Sequence, residues 1–128
     1  MAIDPSDLKG TLKRYLDQYA SEHTKLSTKL THFVGIPMIV VSIPTALVSP
    51  LVAAGLFAGG WALQIAGHYL FEKNHPSFFH DPVYLLVGPI WVVIEVMQLL
   101  GLPLPEYLSP QAEIIPPAPA PAASAAMN

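Results

Sequence analysis

Residues 33–71 form an uninterrupted run of 39 (33 through 71) without a single Asp, Glu, Lys or Arg, and this run limits the available folds more than any other feature. One helix needs about 20 residues to cross the hydrocarbon of a bilayer, so the run is long enough for two crossings. Ser49-Pro50 marks the break between them, because proline and the residue before it both resist helix continuation. Spans are therefore predicted over residues 30–48 and 51–71. Pro37 and Pro44 fall inside the first, where the hydroxyls of Ser42 and Thr45 can satisfy the carbonyls that proline frees. A third apolar segment, residues 83–102, follows a polar connection and is interrupted by Glu95. A buried hairpin of a soluble protein is the other fold that such a run allows. Composition favours the bilayer: 52% of the chain is apolar and only 12% charged, about half the usual charged share. A chain of 128 residues cannot bury that much apolar surface in its own core, so the remainder must meet lipid or partner subunits, a homo-oligomer being one arrangement.

The expected fold class is thus all-α, an integral membrane helical bundle. It would comprise an N-terminal amphipathic helix, about three transmembrane helices and a disordered tail. Ser6 is a candidate N-cap for the amphipathic helix. Leu8, Leu12, Tyr15, Leu16 and Tyr19 fall on one face at helical spacing, with Lys9, Lys13, Arg14 and Asp17 elsewhere. Charges through the first thirty residues leave no room for the apolar core of a signal peptide. The membrane-embedded domain is assigned to residues 1–105. Residues 106–128, rich in Pro and Ala, read as a tail that cannot build a core. A net charge of -3 provides no basis for nucleic-acid binding, and the absence of cysteine excludes thiolate metal sites.

Five of the six Lys and Arg residues precede the first span, and the sixth, Lys73, lies between the second and third. By the positive-inside rule, the N-terminus and the Lys73 loop are cytoplasmic and Ser49-Pro50 faces the other side of a multi-pass membrane protein. This topology gathers the histidines. His32 begins the first span and His68 ends the second, while His23, His75 and His80 lie just outside on the same side, as does Glu72.

Local geometry narrows the set. His68 and Glu72, four apart, share a helix face. His23 and His32, nine apart, would point to opposite sides of a continuous helix. They can meet only if the helix breaks between them, and Ser27 and Thr28 are adjacent N-cap candidates. The first helix should stop near His23 and the next begin near Thr28. Two or three neutral imidazoles with one carboxylate, and open positions beside them, suit ferrous iron that binds oxygen and substrate together. Zinc accepts similar ligands and would indicate hydrolysis. Taken singly, each histidine also has a plain structural reading as a hydrogen-bonded residue at a helix end, and His75 and His80 read as loop residues. Glu95, a carboxylate inside an apolar segment, should have a partner or a function.

Three blocks together resemble the Mpo-type family: HTKLSTKLTHFVGIP at 23–37, QIAGHYLFEKNHP at 64–76 and GPIWVVIE at 88–95. The resemblance runs from Tyr15 to Glu95 and rests on a His-x8-His-x2-Gly-x-Pro block followed by Gly-His-x3-Glu. Thr28 stands where the family often has Asn, and both cap helices. The family's characterised fungal member is a 2-hydroxy fatty acid dioxygenase of the endoplasmic reticulum. The resemblance implies an iron(II)-dependent enzyme in such a membrane or a bacterial inner membrane. It would use molecular oxygen to shorten a 2-hydroxy fatty acid by one carbon with release of carbon dioxide. Carried over to this chain, the matching catalytic positions are His23, His32 and His68 as metal ligands and Glu72, which either supplies a carboxylate ligand or holds a ligand imidazole, with Glu95 as a further polar match. A non-enzymatic lipid-binding or assembly protein and a zinc-dependent membrane hydrolase are the other readings.

Overall fold

The N-terminal helix α1 (Leu8–Ser21) forms where the apolar spacing places it. Its N-cap is Asp7 rather than Ser6. The Asp7 carboxylate accepts from the Gly10 N–H at 2.9 Å, whereas the Ser6 hydroxyl donates to Asp4. An ionised carboxylate at a helix N-terminus gains from the macrodipole as well as from the hydrogen bond, so aspartate wins the position. The buried face is Thr11, Tyr15, Leu16 and Tyr19, while Leu8 at the helix start is exposed. The computed structural model describes residues 2–109.

Helix α2 (Leu26–Thr45) and helix α3 (Pro50–Ala66) form an antiparallel hairpin around the break at Ser49-Pro50. Ser49 caps α3, its hydroxyl accepting from the Val52 N–H at 3.4 Å, and Pro50 occupies the first turn, where its missing N–H is of no consequence. The hydroxyls of Ser42 and Thr45 donate to the carbonyls of Ile39 (2.6 Å) and Val41 (2.7 Å). These flank the Val40 carbonyl that Pro44 leaves without a helical donor. The two helices approach most closely at glycines. A Cβ built on Gly35 would lie 2.8 Å from the Gly60 carbonyl oxygen, and one on Gly60 would lie 2.7 Å from that of Gly35. Only residues without side chains allow this backbone contact.

A π-helical turn (Gly67–Glu72) continues α3, so the helix runs 23 residues from Pro50 to Glu72. It ends at Lys73, whose left-handed backbone (φ 56°) turns the chain out of the helix. After a 3-10 turn (Ser77–Phe79) comes α4 (Tyr84–Leu99). Helices α2 and α3 with its π turn are long and apolar enough to cross a membrane. The third expected span is shorter than predicted: α4 has 16 residues, about 24 Å at 1.5 Å per residue, against about 30 Å of hydrocarbon.

Helix α4 packs against α1 and α2 around Tyr15, Leu16, Tyr19, Ile36, Tyr84 and Trp91. A last 3-10 turn (Glu106–Leu108) lies past residue 105 and packs on α1, with Leu104 and Leu108 against the core. Residues 110–128 of the Pro/Ala-rich segment lie outside the described residues. The outer surfaces of the hairpin carry exposed Ile43, Leu47, Val48 and Leu51.

Candidate metal centre

The chain does break between His23 and His32, over residues 22–25, and α2 starts at Leu26, two residues before the predicted Thr28. Lys25 is the extended residue that precedes it (φ -87°, ψ 140°). The link is held by Glu72, whose carboxylate accepts from the Lys25 N–H at 2.7 Å and the Thr24 hydroxyl at 3.1 Å. The turn lets His23 fold back over the first turn of α2. His32 reaches the same point from α2, and His68 from the π turn, where the widened helix alters the register of the following side chains.

The three imidazoles meet through their Nε2 atoms. His23 Nε2 lies 3.1 Å from that of His32 and 3.1 Å from that of His68, and the last two are 3.3 Å apart. All three side chains are buried. Each outer nitrogen faces an oxygen that can only accept: His23 Nδ1 lies 2.6 Å from the Tyr19 carbonyl, His32 Nδ1 2.9 Å from the Thr28 carbonyl, and His68 Nδ1 2.8 Å from Asn74 Oδ1. The Asn74 amide is oriented by its other end, Nδ2 donating to the Glu22 carbonyl at 3.1 Å. The protons of the neutral rings are thereby placed on Nδ1, and three unprotonated Nε2 lone pairs point at one another.

Such an arrangement is repulsive unless a cation sits among the lone pairs, and protonation is a poor remedy in this environment. His23 is fully buried, which pushes its pKa down to about 2, with the neighbouring His32 adding to the effect. Burial also raises the pKa of Tyr19, stacked on His23 at 4.0 Å, and keeps it neutral. The dimensions suit a metal ion. With metal–nitrogen bonds of about 2.1 Å, ligand nitrogens stand about 3.0 Å apart at right angles and about 3.4 Å at tetrahedral angles. The observed edges of 3.1, 3.1 and 3.3 Å fall between these limits. Three imidazoles whose far nitrogens are held by carbonyl-type oxygens also make the usual outer arrangement of metal-ligating histidines.

Of the four expected site residues, the structure brings His23, His32 and His68 together and leaves Glu72 on the link. The metal-competent group among the described residues is the three histidines. His75 pairs with the Tyr69 hydroxyl at 3.2 Å, and His80 is exposed at the 3-10 turn; neither joins the cluster. Glu95 has a partner in Lys29, whose Nζ lies 3.6 Å from its carboxylate and 6.0 Å over the Trp91 ring. Sequence reasoning missed Asn74, since a loop asparagine beside a left-handed residue carries no spacing signal that links it to His68. It also missed Trp91, which is fully buried and packs 5.4 Å from the His23 ring.

A cavity of about 330 Å³ opens beside the cluster. His32 and His68 lie in its wall, and Ile36, Ile39, Ile43 and Leu86 carry the apolar lining away from them. Ile43 and Leu86 are themselves 70% exposed, so the cavity reaches the surface between α2 and α4. The arrangement can hold a metal ion at the head of an apolar slot, which suits an amphiphile with a polar end and a long tail.

The family model described as "2-hydroxy-palmitic acid dioxygenase Mpo1-like" matches residues 10–100, and the chain belongs to this family. No curated protein and no solved structure matches it.

Proposed function

We propose, from membership of the Mpo1-like family, that the chain is an iron(II)-dependent dioxygenase that shortens 2-hydroxy fatty acids by one carbon within a membrane. The observation that carries this reading is the convergence of three buried Nε2 lone pairs with every Nδ1 committed to an acceptor. In this reading His23, His32 and His68 hold the metal, and Glu72 supports the link that positions His23. Iron(II) held there would supply the electrons that make dioxygen reactive toward the substrate. The reaction balances without a further reductant: a 2-hydroxy acid and dioxygen yield the acid one carbon shorter, carbon dioxide and water.

The remaining work falls to the chain. Trp91, Tyr19 and the core around them exclude water from one side of the histidines. The Tyr19, Thr28 and Asn74 oxygens hold the three rings in one tautomer. The apolar slot holds the alkyl tail in line with the head. Helices α2 and α3 would be crossings and α4 a shorter embedded helix, their exposed leucines, valines and isoleucines meeting lipid. The positive-inside rule then places the histidine end on the cytoplasmic side.

The test is metal content and turnover of the purified full chain. Wild type should retain about one iron per folded protein and, with oxygen, convert 2-hydroxypalmitate to the fifteen-carbon acid. His23→Ala, His32→Ala and His68→Ala should each lose both, while His75→Ala and His80→Ala keep both. Zinc in place of iron, without oxygen consumption, would favour a hydrolase. No metal above background in wild type would leave a lipid-binding protein.

A further inference from the structure

The slot beside the histidines is apolar almost throughout, yet it has a buried donor with nothing to donate to. Gln64 is 6% exposed, lines the cavity, and its side-chain nitrogen has no hydrogen-bond partner among the described residues. It is also the one side-chain amide in α3, a helix otherwise apolar from end to end. Buried polar groups are nearly always paired, and a polar side chain within a membrane-crossing helix is costly enough to indicate a function.

Its position says which partner it lacks. Gln64 lies about one helical turn before His68, and both side chains line the cavity. The amide is wedged where α2 comes closest: a Cβ on Gly35 would sit 2.6 Å from Gln64 Nε2. That contact holds the amide at one height along the slot, while its terminal torsion, which has a broad two-fold profile, lets the NH2 turn toward the cavity. Trp61 Nε1 is a second buried donor without an acceptor on this wall. It lies seven residues from His68, about 10 Å along the axis, beyond reach of a head group held at the histidines.

We infer that Gln64 is a positioning residue that donates its amide N–H to the carboxylate of the 2-hydroxy acid. The acid's first two carbons are thereby held at the three histidines while the tail runs past Ile36, Ile39 and Ile43. A carboxylate is the fitting partner because it only accepts, and its two oxygens can serve the amide and a metal at once. A neutral donor also recognises the acid without placing a fixed charge in an apolar slot. The inference rests on the dioxygenase reading above.

Binding to the metal-free full chain in lipid nanodiscs tests it, with the fluorescence of Trp61 and Trp91 as the signal. The ligands are 2-hydroxypalmitate and hexadecane-1,2-diol, which keeps the 2-hydroxyl and lacks the carboxylate. Wild type should bind the acid more tightly than the diol. Gln64→Met, close in shape, should weaken acid binding by about tenfold or more, the usual effect of losing a hydrogen bond to a charged group, and leave the diol unchanged. Iron per folded protein should stay at the wild-type level, and KM should rise more than kcat falls. Gln64→Leu, which also lacks the amide donor, should weaken the acid and spare the diol in the same way, and it carries the same test if the methionine variant folds poorly. Unchanged acid affinity in both variants overturns the inference, and so does a parallel loss for acid and diol, which would assign Gln64 to the shape of the slot. A wild type that consumes the acid yet shows no preference for it over the diol removes the inference alone. A wild type that neither prefers nor consumes the acid removes the dioxygenase reading itself.

Discussion

Replacing Asn74 with alanine should weaken the metal centre without destroying it, by an amount that the geometry sets. Of the three oxygens that hold the histidine rings, those facing His23 and His32 are backbone carbonyls and no substitution removes them. The one facing His68 belongs to a side chain, Asn74 Oδ1 at 2.8 Å, itself oriented by the 3.1 Å bond from Nδ2 to the Glu22 carbonyl. Asn74→Ala leaves the His68 Nδ1–H without its acceptor beside a buried cluster. An unmet buried donor costs about 1–3 kcal/mol, which corresponds to a roughly 5- to 150-fold effect on any equilibrium that needs the ring in place. Losing the outer partner of a metal-ligating histidine typically costs about 10–100-fold in metal affinity, an independent figure in the same range. Competitive titration of the purified protein against a chelator of known affinity measures this directly. The expected order is wild type, then Asn74→Ala some 10–100-fold weaker, then His68→Ala with no measurable site. An Asn74→Ala protein that binds metal as tightly as wild type would refute the claim that this hydrogen bond fixes the ring. One that binds none, while remaining folded, would make Asn74 as indispensable to the metal centre as a ligand.

Glu72→Gln should keep full metal stoichiometry, because the Glu72 carboxylate serves Lys25 and Thr24 on the link; loss of metal comparable to His68→Ala would make it a ligand after all. Gly35→Ala places a Cβ 2.6 Å from Gln64 Nε2 and 2.8 Å from the Gly60 oxygen. It should destabilise the protein by about 1–3 kcal/mol in detergent-based unfolding, and an unchanged unfolding midpoint would contradict the close packing of α2 on α3. In the metal-free protein, His23 stays neutral down to about pH 2 when folded but takes up a proton near its ordinary 6.5 when unfolded. Stability is therefore intact above about pH 6.5 and falls as pH drops below it, by about 2 kcal/mol at pH 5 from this residue alone. Thermal unfolding at pH 7.5 and pH 5 should show the drop, and His23→Phe should reduce it; an equal drop in both proteins would rule His23 out as its source.

The parts of this molecule that could be read along the chain are those governed by local physics. The uncharged run could only form long apolar helices, and Ser49-Pro50 could only interrupt them, because proline's geometry acts on its own neighbours. The need for a break between His23 and His32 followed from helical periodicity alone, and the observed break at residues 22–25 differs by two positions because Glu72, from across the hairpin, holds the link. The hairpin topology also sufficed to bring His32 and His68 to one end. What the chain order could not decide was which polar groups touch. Glu72, expected as a ligand or as the partner of one, was a helical neighbour of His68, yet the π turn and the left-handed Lys73 take it to the link and bring Asn74, six residues past His68, against the ring. Gln64 read as one more residue of an apolar span until the close approach of Gly35 and the cavity beside His68 made it an unpaired donor at the site. Periodicity fixes which side of its own helix a residue faces. The distances that make a ligand set or a binding slot depend on how separate helices approach one another, and packing at bare glycines and the hydrogen bonds of the links decide that only in three dimensions.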